Sequence, residues 1–497
     1  IYPEENPGVV ERAMISFCTF EMRNEVKVYG ELAYGVLFLQ MTLSNSSMVW
    51  NDITSNADYN VSVADADIIP SQSVSFRSFI LADGSLFSDN NVVVGGYTEC
   101  TFKAPQPPSS STNCVGIHLN LGFRSGSALF SAEVHNNEFN VSGVIDALDM
   151  GAIGILLNSA QASKDIMHWE AVDMLHFDFS VRTLLLKGFS LSGIVWFQTL
   201  FDNQSRLLES DFDASSLDMQ LAVSDLPLSD SLATAFAIAV TESGADSSAL
   251  MRGVSFSVTD SIIFSSQVNC GVLGGIFVEN SQFLSTWEDV NVSLSRSTVD
   301  GGDACQQVFG LLIRDIEFGS WDNVAFVVDE TSVLGVRTAE EVEPKTASIQ
   351  MENIRSSTAA SMANVLISSS ATVSGSFSRN LGKYHGIYLQ LQLNETVASN
   401  FDIEFLGEIT FDGVHSNGTN GTENYFAGVE FRGELTDANL TNFNVNMNGN
   451  LSAATFGAYG VIIDLAVTGL RWIESSVTSA GRTSGSEEAI GMVHEHA

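Results

Sequence analysis

Cys270 stands five residues before Gly275, and Cys305 stands five before Gly310. Thiols at equivalent places of two similar phrases, 35 residues apart, have one chemistry open to them if the phrases stack as neighbouring strands. Such strands lie about 4.8 Å apart, within the reach of a disulfide. A Cys270–Cys305 bond is therefore expected, and with it an oxidising compartment. Cys100 and Cys114 bracket the Pro-rich segment 104–114, "APQPPSSSTNC", and are expected to close it as a second bond. Cys18 is left over.

Little else in the chain has the spacing that catalysis needs. Pectin hydrolases on parallel β-helices use paired carboxylates near the scissile bond. Those sit with adjacent aspartates, a Gly-His-Gly and an Arg-Ile-Lys, and none of the three occurs here. "GFSLSG" at 188 fails the spacing of a nucleophile elbow, and there is no phosphate loop or EF-hand loop. "VADADIIP" at 63 and "VDGGDA" at 299 hold enough oxygens for calcium, and turn chemistry explains both equally well. "HEH" at 494–496 reads as a chain end. No catalytic, cofactor or metal residue is assigned, and the expectation is a protein without enzymatic activity.

Charge narrows the partners. The 497 residues carry a net charge of −38, and only six of the 21 basic residues are lysine. Such a surface repels phosphate backbones and anionic membranes. No run of 18 apolar residues is present, so membrane insertion is not expected. Phe, Gly, Ser, Thr and Asn are plentiful and Pro is scarce, which favours strands and polar turns.

The elements that would position the cysteines come from a repeat. A short apolar phrase around a glycine returns along the chain, as in "CVGIHLNL" at 114, "GAIGILLN" at 151, "LSGIVWFQ" at 191, "GVLGGIFV" at 271 and "VFGLLIRD" at 308. Its anchors Gly35, Gly116, Gly154, Gly193, Gly275, Gly310, Gly386, Gly428 and Gly460 recur every 32 to 42 residues. The three larger gaps fit two periods each, with "SVSFRSFI" at 73, "TAFAIAV" at 234 and "ASIQMEN" at 347 in the middle. Alternating segments follow each anchor, the mark of strands. One short helix is expected at 6–17, "NPGVVERAMISF", started by Pro7. Four tryptophans recur in related phrases, "WNDI" at 50, "WEAV" at 169, "WEDV" at 287 and "WDNV" at 321. These are read as packing at corners; in "WEDVNVSLS", Val290, Val292 and Leu294 point inward while Asn291, Ser293 and Ser295 point out.

Three strands per unit of ~38 residues describe a coil of a parallel β-solenoid. The expected fold is all-β: one elongated solenoid of roughly 12–13 coils. Residues 1–30 would form an N-terminal cap or arm, 31–480 the repeats and 481–497 a tail. The phrase "CGVLGGIFVENSQF" at 270–283 resembles the glycine-punctuated β-helix repeats of microbial and protist surface proteins, including the GLUG type. That resemblance implies an extracellular solenoid with an adhesive or structural role and carries no catalytic residues.

Ten N-x-[ST] sequons lie at Asn45, Asn60, Asn140, Asn203, Asn291, Asn394, Asn417, Asn420, Asn439 and Asn450. Measured from the anchors, they fall into two rows near corners, and N-glycosylation is expected there in a eukaryotic host. The functional expectation is an extracellular or cell-surface structural glycoprotein, a rod-like block of a filament, coat or appendage. The alternative is an adhesin for glycans or a partner cell. A solenoid's end strands invite pairing with another copy, so head-to-tail self-association is expected.

Overall fold

The computed structural model describes residues 8–29, 33–63, 71–102, 113–124, 132–159, 161–162, 165–166, 169–202, 204–221, 232–265, 270–302, 305–335, 345–375, 383–411, 425–453, 457–484 and 489–495. Among these there are only strands and their connections. Two compact units divide them: one of 1–231 with 237–256, the other of 232–236 with 257–497.

Within each unit, strands pair in parallel with the equivalent strand of the next repeat. In the first, Ala33–Leu39 lies beside Ser71–Ala82, which lies beside Asn113–Arg124. The latter pairs in turn with the Gly151–Ser159 end of Ala132–Ser159. In the second unit the order is Cys270–Glu288, Gln307–Asp322, Lys345–Ser369, Lys383–Asn394, Tyr425–Thr436 and Gly457–Thr468. The pair Gln161–Ala162 with Asp165–Ile166 is antiparallel.

The anchor glycines mark where neighbouring strands approach each other closely. Ile117 faces Ile155 and Val115 faces Ile153, so Gly116 stands opposite Gly154. A methyl group on Gly154 would lie 2.6 Å from the carbonyl oxygen of Gly193, a contact no side chain survives, so glycine is needed for the close approach. In the wide gaps the position passes to another small residue. Ser73 stands opposite Gly35 and Gly116, and Ser348 stands opposite Gly310 and Gly386.

The core is the inward row of alternating residues. Val290, Val292 and Leu294 are buried while Asn291 is exposed and Ser293 and Ser295 are half-exposed, as alternation requires. Stacked rings extend it, for example Phe139–Phe179–Phe212–Phe256.

The helix expected over 6–17 does not form. Gly8–Glu11 and Met14–Ser16 are strands, paired in parallel with Met41–Ser44 and Ser47–Val49. Val9 and Val10 favour extended backbone, and a neighbouring strand supplies the hydrogen bonds that a lone helical turn would have to make itself. Arg12, with φ of 54°, turns the chain between the two strands. Residues 8–29 are thus built like the repeat that follows.

Many corners follow a rule. There, a residue in the left-handed conformation is followed by a buried Ser, Thr or Asn, as in Asn45–Ser46, Glu209–Ser210, Asp260–Ser261, Arg296–Ser297 and Glu330–Thr331. The buried side chain accepts a backbone N–H from the preceding repeat: Phe177 donates to Ser210 Oγ at 3.0 Å, and Ser261 donates to Ser297 Oγ at 3.1 Å. Asn51, Asn90 and Asn137 form the strongest version. Asn51 Nδ2 donates to Asn90 Oδ1 at 2.8 Å, and Asn90 Nδ2 donates to Asn137 Oδ1 at 2.9 Å and to Met48 O at 3.0 Å. Asn90→Ala leaves these buried partners unmatched and should cost about 3 kcal/mol, read by urea denaturation; Ser, which keeps one acceptor, should cost less.

Candidate functional site

Both expected disulfides are present. Cys270, at the start of Cys270–Glu288, and Cys305, two residues before Gln307–Asp322, are bonded with Cα atoms 4.3 Å apart, and Cys100–Cys114 closes its segment across 6.7 Å. All four are buried. Residues 103–112, most of the Pro-rich segment, lie outside the described residues. Cys18 is free and half-exposed, its Sγ 3.4 Å from Ser16 O. Two disulfides fit an oxidising compartment.

Among the sequons, Asn45, Asn291, Asn394 and Asn450 are exposed, and Asn60, Asn140 and Asn439 are half-exposed. Asn203, Asn417 and Asn420 lie outside the described residues. The two rows do not form. Asn394 faces Thr436, while Asn439 faces Val397. Asn60 faces Glu99 in a strand pair separate from the one that holds Asn140. Counting from an anchor glycine ignores bulges and corners of different length, and each shifts the register.

Metal chemistry gains no support from the described residues, where no three His, Cys, Asp or Glu side chains gather to hold an ion. In "VDGGDA", Asp300 Oδ1 accepts the Gly302 N–H at 2.9 Å, which is turn capping. Residues 64–70, 303–304 and 496 lie outside the described residues.

Among the described residues, buried His and Glu side chains occur at two places. In the second unit, Glu430 is 0% exposed and faces Tyr388 and Ile462 on the neighbouring strands. His385 Nε2 lies 2.7 Å from Glu430 Oε2, and Arg432 Nε bonds to Glu430 Oε1. Both carboxylate oxygens are therefore engaged, so the group balances charge and is not poised to take a proton from a substrate. Burial, and then the Glu430 charge, push the Tyr388 phenol up to about 12. In the first unit, His118 Nδ1 lies 3.1 Å from Gln72 Oε1 and Nε2 lies 3.2 Å from Asn158 Oδ1. Burial pulls its pKa down from 6.5 to about 4; the Asn158 bond opposes this, and the Arg77 charge adds to it.

The His118 shift has a sign that can be checked. Below pH 6.5 the unfolded chain takes up a proton at this residue that the folded chain refuses, so stability from His118 is complete above about pH 6.5. It falls as the pH drops toward 4, by about 3 kcal/mol at most. Urea midpoints of the protein and of His118→Gln across pH 4 to 7 should differ in slope over that window.

An open groove of about 320 Å³ crosses three repeats of the second unit. One wall is Asn280, Asp315 and Asn353, all at left-handed corners, with Asn353 Nδ2 donating to Asp315 Oδ1 at 3.0 Å. The other is the register row Gln282, Glu317 and Arg355. Apart from Ile316 its lining residues are polar or charged, and none is aromatic.

The tryptophans divide. Trp169, Trp287 and Trp321 are buried, each two residues before a left-handed corner at Ala171, Asp289 or Asn323. Trp50 is different: it is itself the left-handed residue, its φ is 54°, and it is 52% exposed. "WNDI" is therefore not a copy of the other phrases, and the packing role expected for Trp50 is overturned. Its ring stacks on Phe17, with centroids 4.9 Å apart. Phe17 had no motif to single it out; its signal is an aromatic residue where most corners use polar ones.

No family model, curated protein or solved structure matches the chain. Among the described residues, no helix is long and apolar enough to cross a membrane.

Proposed function

We propose that the chain is a parallel β-solenoid that serves as an extracellular structural glycoprotein, the building block of a surface filament, coat or appendage. The observation that carries this reading is the repeat-on-repeat stacking inside each unit. Backbone register, corner hydrogen bonds and the Cys270–Cys305 bond all tie one repeat to the next. Such a construction makes stability cumulative along the stack. The resemblance of 270–283 to glycine-punctuated surface repeats points the same way, as does the acidic surface.

Self-association belongs to this reading. The strands run parallel, so a further repeat from another copy in the same register would extend the stack, and a head-to-tail contact that does not close gives a fibre. Electron microscopy of native material is the test, together with intact mass before and after deglycosylation. Ordered polymers and a mass loss are expected. Monomers at every concentration and salt, with no mass change, would reject the proposal. The adhesin reading has one observation in its favour, the exposed pair Phe17–Trp50.

A further inference from the structure

Two repeats are paired on one side only among the described residues. Gly8–Glu11, Met14–Ser16, Thr19–Met22 and Val26–Tyr29 each lie beside one strand, in the repeat that follows. Arg471–Ile473, Ser476–Ser479 and Thr483–Ser484 each lie beside one strand, in the repeat that precedes. The inward rows of both are uncovered. Ile15, Phe20 and Met22 are half-exposed, while Met48, Ile53 and Ser55 opposite them are 0% exposed. Trp472 and Val477 are half-exposed, while Leu440 and Val445 opposite them are 0% exposed.

The two surfaces match residue for residue. On one, the left-handed corners Arg12 and Phe17 flank Met14–Ser16, and Thr19–Met22 follows. On the other, Gly469 and Glu474 flank Arg471–Ile473, and Ser476–Ser479 follows. The corners are five residues apart in both, so no insertion breaks the match. Aligning them puts Trp472 on Ile15, Ser475 on Cys18 and Val477 on Phe20. Arg482 then faces Glu25, and no two carboxylates meet along these strands, in a chain whose net charge of −38 otherwise keeps copies apart. Ala489–Glu495 continues the match. Its Ile490 faces Tyr459, one place before Gly460, as Tyr34 stands one place before Gly35 in Ala33–Leu39.

We infer that Arg471–Ile473, Ser476–Ser479, Thr483–Ser484 and Ala489–Glu495 of one copy stack on Met14–Ser16, Thr19–Met22, Val26–Tyr29 and Ala33–Leu39 of a second copy, in this register. The contact rests on the head-to-tail reading and adds to it which strands meet. Its bonds repeat those inside the chain, where the Phe17 N–H donates to Val49 O and the Asp52 N–H donates to Cys18 O. Across the contact, the Glu474 N–H donates to Ser16 O of the second copy, and the Thr19 N–H of that copy donates to Ser475 O. A lone extended peptide can pair with one unpaired strand. It cannot pair with all of them in one register or cover the inward rows between them. Another repeat of the same corner spacing does both, and this chain carries that repeat.

The test uses the whole chain and its native Cys18. In Ser475→Cys, mild oxidation with diamide should join residue 475 of one copy to Cys18 of the next, since adjacent parallel strands lie about 4.8 Å apart, within disulfide reach. Denaturing gels without reductant should show a ladder of covalent oligomers, and peptide mapping should find residue 18 linked to residue 475. Thr478→Cys, whose place faces Glu21 about 10 Å along the strand, should give at least about tenfold less of a link to Cys18. Ser475 Oγ accepts the Phe443 N–H at 3.0 Å, so a second probe spares that bond. Phe17→Cys with Glu474→Cys, both at exposed corners, should link residue 17 to residue 474 in a Cys18→Ser background. Polymers in electron microscopy with neither link would overturn this contact and leave head-to-tail growth standing. Links between two residue-18 peptides alone would make the contact head-to-head and overturn it. Monomers at every concentration in sedimentation would overturn it together with the self-association on which it rests.

Discussion

Glu430→Ala should lower the stability of the second unit by about 3 kcal/mol, the cost of leaving a buried hydrogen-bonding group without its charged partner. The carboxylate is fully buried and His385 is nearly so. Truncation leaves the imidazole facing an apolar gap and removes one partner of the Arg432 guanidinium, which also lies 3.8 Å from Asp464 Oδ2. Arg432 is 38% exposed at its side chain, so water takes up much of what that arm loses, and most of the cost falls on His385. Glu430→Gln keeps the shape and a hydrogen bond and should cost less. Removing both ends, as in His385→Leu with Glu430→Leu, should recover a good part of the loss, since a buried pair replaced by apolar groups is often nearly neutral. Urea denaturation of the four proteins gives the coupling directly. If the double variant is as unstable as the sum of the singles, the two residues do not act as a pair.

That pair was not legible in the sequence. His385 and Glu430 are 45 residues apart, more than the usual step, and nothing marks them until the register is known. Tyr388 faces Glu430 and His385 faces Ala427, so register alone does not pair His385 with Glu430; only the side chains meet, at 2.7 Å. The anchors themselves were legible, because close backbone approach admits only small residues and so leaves a periodic trace. Gly116, Gly154 and Gly193 show it directly, and Ser73 and Ser348 show how a gap in glycine need not be a gap in the repeat. The corner rule was also written in the sequence, as Glu-Ser, Asp-Ser, Glu-Thr and Asp-Asn pairs closing alternating segments. It was hidden because these pairs are ordinary turn residues one at a time and gain meaning only when stacked. At 6–17 the apolar spacing allowed a helix, and the neighbouring strand decided otherwise. "WNDI" at Trp50 misled for a related reason: a four-letter phrase does not say which of its residues carries the left-handed turn.

The Cys270–Cys305 bond should contribute the larger share of covalent stabilisation. It joins residues 35 apart in sequence whose Cα atoms stand 4.3 Å apart, so folding needs no extra distortion to bring the thiols together. In the unfolded chain it closes a loop whose entropy it removes, worth about 4 kcal/mol by the chain-entropy relation. Cys100–Cys114 spans 14 residues and should be worth about 3 kcal/mol on the same basis. The paired replacements Cys270→Ser with Cys305→Ser, and Cys100→Ser with Cys114→Ser, should therefore lower stability in that order in chemical denaturation. Serine is the fair choice at both places, being nearly the same size, although a buried hydroxyl without a partner adds to the loss. Peptide mapping without reductant supplies the independent check. Linked peptides are expected for both pairs, with Cys18 recovered as a free thiol. Free thiols at Cys270 and Cys305 would contradict the oxidising compartment, and a loss below about 1 kcal/mol in the double variant would show that the unfolded chain is not restrained by the bond.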